Sequence, residues 1–228
     1  MKDLQRIGGV AALIHAAAYL VGIGLYLTVM APLIDATPDQ YVAQLANYQN
    51  ILYIWILIAY LVAGFCLVAV ALAFNERLKV GWPVVTQIAT VLGLIWAGLI
   101  IGSGNLMLHG FGEVADLYAK NPAQAETVWV ALGIVENGIA SANELIGGIW
   151  VLLVSWTALQ TGELNKVLNS LGLAIGMAGI LTMIPPIAEA TQTFFGISMI
   201  VWFAWVGSVL LRNPSMAVEK PKAIVPTL

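Results

Sequence analysis

The chain reads as all-α, a six-transmembrane-helix bundle with both the N and C termini cytoplasmic, and three observations carry that reading. Its 228 residues are 61% apolar and 9% charged, with a mean hydropathy of +0.92, which leaves too little polar surface to coat a water-soluble globule of this size. Six long apolar runs divide it. Taking them as crossings puts Lys2, Arg6, Arg77, Lys79, Lys166, Arg212, Lys220 and Lys222 on one side and Lys120 alone on the other. Short cytoplasmic segments keep Lys and Arg because translocating them is unfavourable.

The first span runs from about Ile7 to Pro32. Lys2, Arg6 and the Ala16-Ala17-Ala18 patch imitate a signal peptide, but apolar character continues to Ile34, past the roughly 7–15 residues of a signal core. In the outer loop, Thr37-Pro38-Asp39-Gln40 supplies an N-cap, a first-turn proline and a capping-box glutamine, which predicts a short surface helix through about Ala46. The second span covers Ile51 to Phe74 and turns through Asn75-Glu76-Arg77 into the third, Trp82 to Leu108. A second outer loop, His109 to Glu126, ends in another capping signal at Asn121-Pro122-Ala123-Gln124. From Pro122 to Gln160 the fourth helix would be about 58 Å long against a hydrocarbon core of about 30 Å. It must project or bend, with Gly133 and Asn137-Gly138 the expected bend points. Gly162 reads as a stop, the fifth span runs from Lys166 to Ile184 before Pro185-Pro186, and the sixth from Thr193 to Leu211. Residues 1–212 form a single transmembrane domain and 213–228 a cytoplasmic tail.

Glu144 is the residue that most needs explaining. Twelve residues above Trp156, it is expected about 18 Å into the membrane, where an ionised carboxylate is costly by about 2.5–3.5 kcal/mol. It should face the bundle interior, and Gly133, Asn137, Ala140, Gly148, Val151 and Ser155 share its helical face, with Ser141 completing an i, i+4, i+7 series from Asn137. On the first span, His15 and Tyr19 lie at about 12 and 18 Å depth on a face of small residues, so a His15, Tyr19, Glu144 cluster is expected. A second polar group comprises Ser103, Asn105, His109, Glu113, Asp116, Glu136, Glu189 and Gln192, and could line an outer vestibule leading down to Glu144.

Other chemistries find little support. Cys66 is the single cysteine and reads as a packing residue. No ligand spacing for zinc or di-iron occurs, and two histidines at different depths cannot share one haem iron, so no metal is expected and no cofactor is specified. Phosphate-loop, zincin and serine-elbow patterns are absent from the sequence. The Gly172 and Gly176 pair points to helix packing, with another subunit as one option. Trp82, Trp129 and Trp156 read as an interfacial belt, and the run Trp202-Phe203-Ala204-Trp205 as lipid-facing. Expected partners are membrane lipids and either further copies of the chain or a larger membrane complex, not nucleic acid.

The stretch Ile7-Gly8-Gly9-Val10-Ala11-Ala12 leading to Ala16-Ala17-Ala18-Tyr19-Leu20-Val21-Gly22 joins three further segments in one pattern. These are Asn143-Glu144-Leu145-Ile146-Gly147-Gly148-Ile149-Trp150-Val151-Leu152-Leu153, the region from Val167 to Gly179, and the region from Ile200 to Arg212. Together they resemble a family of bacterial multi-pass membrane proteins defined as a domain of unknown function. The resemblance implies a location in the bacterial cytoplasmic membrane and supplies no activity, substrate or catalytic residue. Three functions follow as expectations: binding or translocation of a small molecule or ion through a polar cavity around Glu144; an accessory or assembly subunit of a larger complex; and an intramembrane enzyme using His15 and Glu144 as acid and base on a lipid-soluble substrate.

Overall fold

The structure, a computed structural model, describes residues 2–31 and 36–212; the acidic loop residue Asp35 and the tail 213–228, with Lys220 and Lys222, lie outside the described residues. Among the described residues there is no strand. The helices are α1 (Lys2–Leu25), α2 (Pro38–Ile56), α3 (Ala63–Leu78), α4 (Pro83–Tyr118), α5 (Pro122–Gln160), α6 (Lys166–Leu181) and α7 (Ala188–Arg212). A π-helical turn, Tyr26–Met30, extends α1, and a second, Leu57–Val62, joins α2 to α3 without a break.

Two expected boundaries are corrected. The surface helix and the second span are one continuous rod from Pro38 to Leu78, because no proline or glycine interrupts the chain between the capping box and Ala63. The capping box does form, with the Thr37 amide donating to Gln40 Oε1 at 3.2 Å. The expected loop after Leu108 is helix as far as Tyr118, since Phe111 and Val114 are buried and their packing outweighs the weak breakers Gly110 and Gly112. α5 is an unbroken helix through Gly133 and Asn137-Gly138, so its length is accommodated by projection. It stops as expected, with Gly162 in the left-handed region at φ +70°.

Successive helices pack antiparallel. Gly8 lies on Ala73 of α3, Gly93 of α4 on Trp150 of α5, Gly148 on Gly176 and Gly179 of α6, and Gly207 of α7 on Gly9 of α1. The near end of the bundle therefore holds Lys2, Arg6, Lys79, Lys166 and Arg212, and the far end holds Lys120. Buried Arg77 pairs with Glu163 at 2.8 Å across the near end. Among the described residues, five helical stretches are long and apolar enough to cross a membrane, namely Asp3–Val29, Asn47–Leu78, Pro83–Tyr118, Pro122–Gln160 and Pro185–Arg212. The sixth apolar helix, α6, has 16 residues and measures about 24 Å.

In lipid, helices associate by close packing and not by exclusion of apolar surface from water, so small residues mark the contacts. A Cβ at Gly172 would lie 1.9 Å from Ser155 Oγ, and one at Gly176 2.8 Å from the Gly148 carbonyl oxygen. The glycine pair is thus used within the chain, against α5. Trp202 and Phe203, expected to face lipid, are instead fully buried with Phe74, Trp96 and Trp150. The inward face of α7 repeats Phe195, Met199, Trp202, Phe203, Val206 and Leu210 at helical spacing, which carries two members of the aromatic run inside.

α6 and α7 form a hairpin shorter than α5. Their connection reaches only the level of Ser141 and Glu144: the Ser141 hydroxyl meets Met183 Sδ at 3.8 Å, and the Glu144 carbonyl would stand 2.7 Å from a Cβ at Gly179. From Glu144 to Pro122, α5 continues for about 33 Å, packed mainly beside α4 and α2 among the described residues. A smaller core of Val42, Leu52, Ile56, Phe111, Val114 and Ala125 holds those three together.

Candidate functional site

Where α1 ends and the α2–α3 rod leans on α4 and α5, the far half of the molecule encloses a cavity of about 270 Å³. Both π-helical turns border it. Each turn inserts an extra residue, which re-aims the side chains that follow, and such insertions concentrate at functional sites. One presents Tyr26, the other Tyr60. Trp55 stands between them: its indole Nε1 donates to the Gly22 carbonyl at 3.0 Å, and its ring lies 6.5 Å from Tyr26 and 5.8 Å, edge-on, from Tyr60. Tyr60 can approach α4 because position 104 is glycine, where a Cβ would sit 2.6 Å from its own. On the opposite wall Tyr41 stacks on Trp129 at 5.0 Å, and Phe111 supports Trp129 at 5.6 Å.

Among the described residues Glu136 is the one carboxyl group in this lining, and no Lys, Arg or His joins it. It is half-buried and has no hydrogen bond or ion pair among the described residues, while its charge acts on Tyr41 and Tyr60. Burial, followed by the charges of Tyr26 and Glu136, holds the Tyr41 phenol above its ordinary value, so it stays neutral. Gly133, one turn from Glu136, faces open space: nothing lies within 4 Å of where its Cβ would be.

The residues singled out in the sequence are distributed differently. His15 is 1% exposed; its Nδ1–H donates to the Ala63 carbonyl at 2.8 Å, and its ring meets Tyr19 at 4.7 Å and Phe203 at 4.0 Å. Tyr19 lies within electrostatic range of both Tyr60 and Glu144. Glu144 is half-buried and turns toward the α6–α7 connection, where its carboxylate accepts a hydrogen bond from Gln192 Nε2. Neither His15 nor Glu144 lines the cavity. Asn137 is exposed, and the Ser141 hydroxyl points to Met183 Sδ at 3.8 Å. Of the expected vestibule residues only Glu136 reaches the cavity. Asn105 is exposed and donates to its own helix at the Ile101 carbonyl, His109 is exposed on α4, and Glu189 is exposed in the first turn of α7.

Sequence reasoning missed Tyr26, Tyr41, Trp55 and Tyr60, and placed Trp129 in a membrane belt. The available signal was the density of Tyr and Trp toward the same ends of several helices, which a belt produces equally well. Among the described residues no three His, Cys, Asp or Glu side chains converge as a metal site. Comparison of the chain with models of protein families, with curated proteins and with solved structures finds no match.

Proposed function

We propose that this is a small-molecule-binding protein of the bacterial cytoplasmic membrane, with six crossings and both termini in the cytoplasm, that receives its ligand in the aromatic cavity around Glu136. The single observation behind this reading is the hollow itself: a concave space walled by aromatic rings, with one carboxyl group to orient a guest, as small-molecule sites are built. Clustering of Arg6, Lys79, Lys166 and Arg212 at the near end supports a cytoplasmic near face and a cavity nearer the outer one. An α6 of about 24 Å falls short of a core of about 30 Å, a mismatch that local thinning of the bilayer accommodates at modest cost. Glu144, hydrogen-bonded to Gln192 and within electrostatic range of Tyr19, then serves as a second polar station below the cavity.

The test is accessibility. Gly133→Cys, made in a Cys66→Ala background, places the only thiol in the lining at a point where its side chain meets nothing. A membrane-impermeant thiol reagent added to right-side-out vesicles should label it. Labelling solely in inverted vesicles, or none in either, rejects the reading.

One observation favours the second reading, an accessory subunit. Above the α6–α7 connection α5 exposes Asn137 and Gly138 beside Ile134, which is 70% exposed, with no helix of this chain among the described residues covering them. Co-purification of a larger complex in mild detergent supports that role, and a homogeneous particle of this chain alone counts against it.

A further inference from the structure

The cavity's chemistry specifies the charge of its guest. Tyr26, Tyr41, Trp55, Tyr60 and Trp129 present aromatic rings around it, and aromatic faces carry the negative lobe of the ring quadrupole. The one carboxyl group among them is Glu136, half-buried, with no base in the lining and no hydrogen bond or ion pair among the described residues. A carboxylate withdrawn from water in this way lacks the counter-charge that such burial calls for. The surroundings act in the same sense: Asp39, Glu113, Asp116 and Glu126 lie on the far half of the molecule against Lys120, a balance that attracts cations toward the cavity.

We infer that the cavity binds a compact organic cation, a quaternary or tertiary ammonium held by the aromatic walls and paired with Glu136. An alkylated ammonium suits the site better than a primary one. A primary ammonium is strongly hydrated and brings three N–H donors, for which the lining holds Glu136 and the phenol oxygens of Tyr26, Tyr41 and Tyr60, while most of its wall is ring face and aliphatic carbon. An alkylated nitrogen spreads its charge over methyl groups that rest on ring faces, which is how aromatic cages take such ligands. Size sets the other limit. At about 270 Å³ the cavity falls just under the range of roughly 300–1,000 Å³ typical of drug-sized guests, so the ligand is small.

This inference rests on the proposed role of the cavity as a ligand site, and the experiment separates the two. Full-length protein in lipid nanodiscs is titrated with choline and with dimethylbutanol, its uncharged carbon isostere, and binding is followed by calorimetry and by tryptophan fluorescence, since Trp55 and Trp129 face the guest. Choline should bind at least about tenfold more tightly than the isostere. Glu136→Gln should remove that preference while leaving isostere binding unchanged, and Glu136→Asp should keep most of it. An unchanged thermal melt for both variants excludes misfolding as the cause. Equal binding of the two probes, with no effect of Glu136→Gln, overturns the cation assignment and leaves the cavity standing as a site for a neutral guest. Binding of neither probe to a protein whose Gly133→Cys thiol is labelled also overturns it. Failure of that labelling removes the ligand site altogether.

Discussion

Two aromatic-rich regions of this chain have opposite interiors. In the near half, Phe74, Trp96, Trp150, Trp202 and Phe203 form a filled core, with ring centroids as close as 5.3 Å between Trp202 and Phe203. In the far half, an equally aromatic set surrounds a space. The glycines mark the difference. A Cβ at Gly93 would meet Trp150 at 2.5 Å, and one at Gly147 would meet Trp96 at 2.5 Å, so each of these glycines seats an indole. Gly133 has no such occupant. Six helices converge in the near half, whereas beyond Glu144 the α6–α7 hairpin has already turned back and leaves fewer neighbours to fill the gap. Residue type does not separate the close-packed aromatics from those that line the cavity here; the number of helices present at a given height does.

Substitutions of matched type in the two regions probe that contrast. The largest effect is expected for tryptophan truncation. Trp150→Ala should cost about 3–5 kcal/mol, measured by unfolding in mixed micelles, because it opens a hole in a core with no exposed surface to collapse onto. Trp129→Ala should cost only about 1 kcal/mol, its stacking on Tyr41 and Phe111, while weakening ligand binding. Similar losses from both would show that the far aromatics are core after all.

Next in size is a glycine pair. Gly148→Val should destabilise by roughly 1–3 kcal/mol or more, since even its Cβ would sit 2.8 Å from the Gly176 carbonyl oxygen and 2.9 Å from the Gly179 backbone, atoms that cannot swing aside. Gly133→Val, with nothing within 4 Å, should shift stability by less than about 0.5 kcal/mol and reduce the room for a guest. A large loss at Gly133 would mean that the hollow closes. The smallest loss expected of any removed contact is at the outermost wall. Gln40→Ala removes one half of the capping box that starts α2, and should cost about 0.5–1 kcal/mol, read as faster amide hydrogen exchange over Gln40–Gln49 with the near half unchanged. Equal loosening in both halves would show them to be one cooperative unit.

How far the site could be read in advance differs residue by residue. Glu144 was legible as a polar group turned toward other helices, because a carboxylate in an apolar run has few places to go. Its partner was not: Gln192 lies 48 residues away and meets it because the α6–α7 connection happens to reach that height. His15 and Tyr19 were legible as neighbours from their i, i+4 spacing, and their rings do meet at 4.7 Å. Glu136 appeared in the sequence as one acid among several near an interface. Only the convergence of rings from α1, α2, the π-helical turns, α4 and α5 sets it apart from Glu189 and His109.

By itself the sequence determined an all-helical chain, the capping box at Thr37, the stop at Gly162, and the uneven distribution of bases between its connections, while the helix expected to run to Ile184 ends at Leu181. These follow from hydropathy, capping and turn chemistry, which act over a few residues and can be summed along the chain. Tertiary structure alone decided that Trp202 and Phe203 lie inside, that Gly172 and Gly176 pack on α5, and that a cavity opens beside Glu136. A cavity is the volume left over when several helices meet, and it depends on where each neighbour ends and which way its large side chains point, quantities that no short window of the sequence contains.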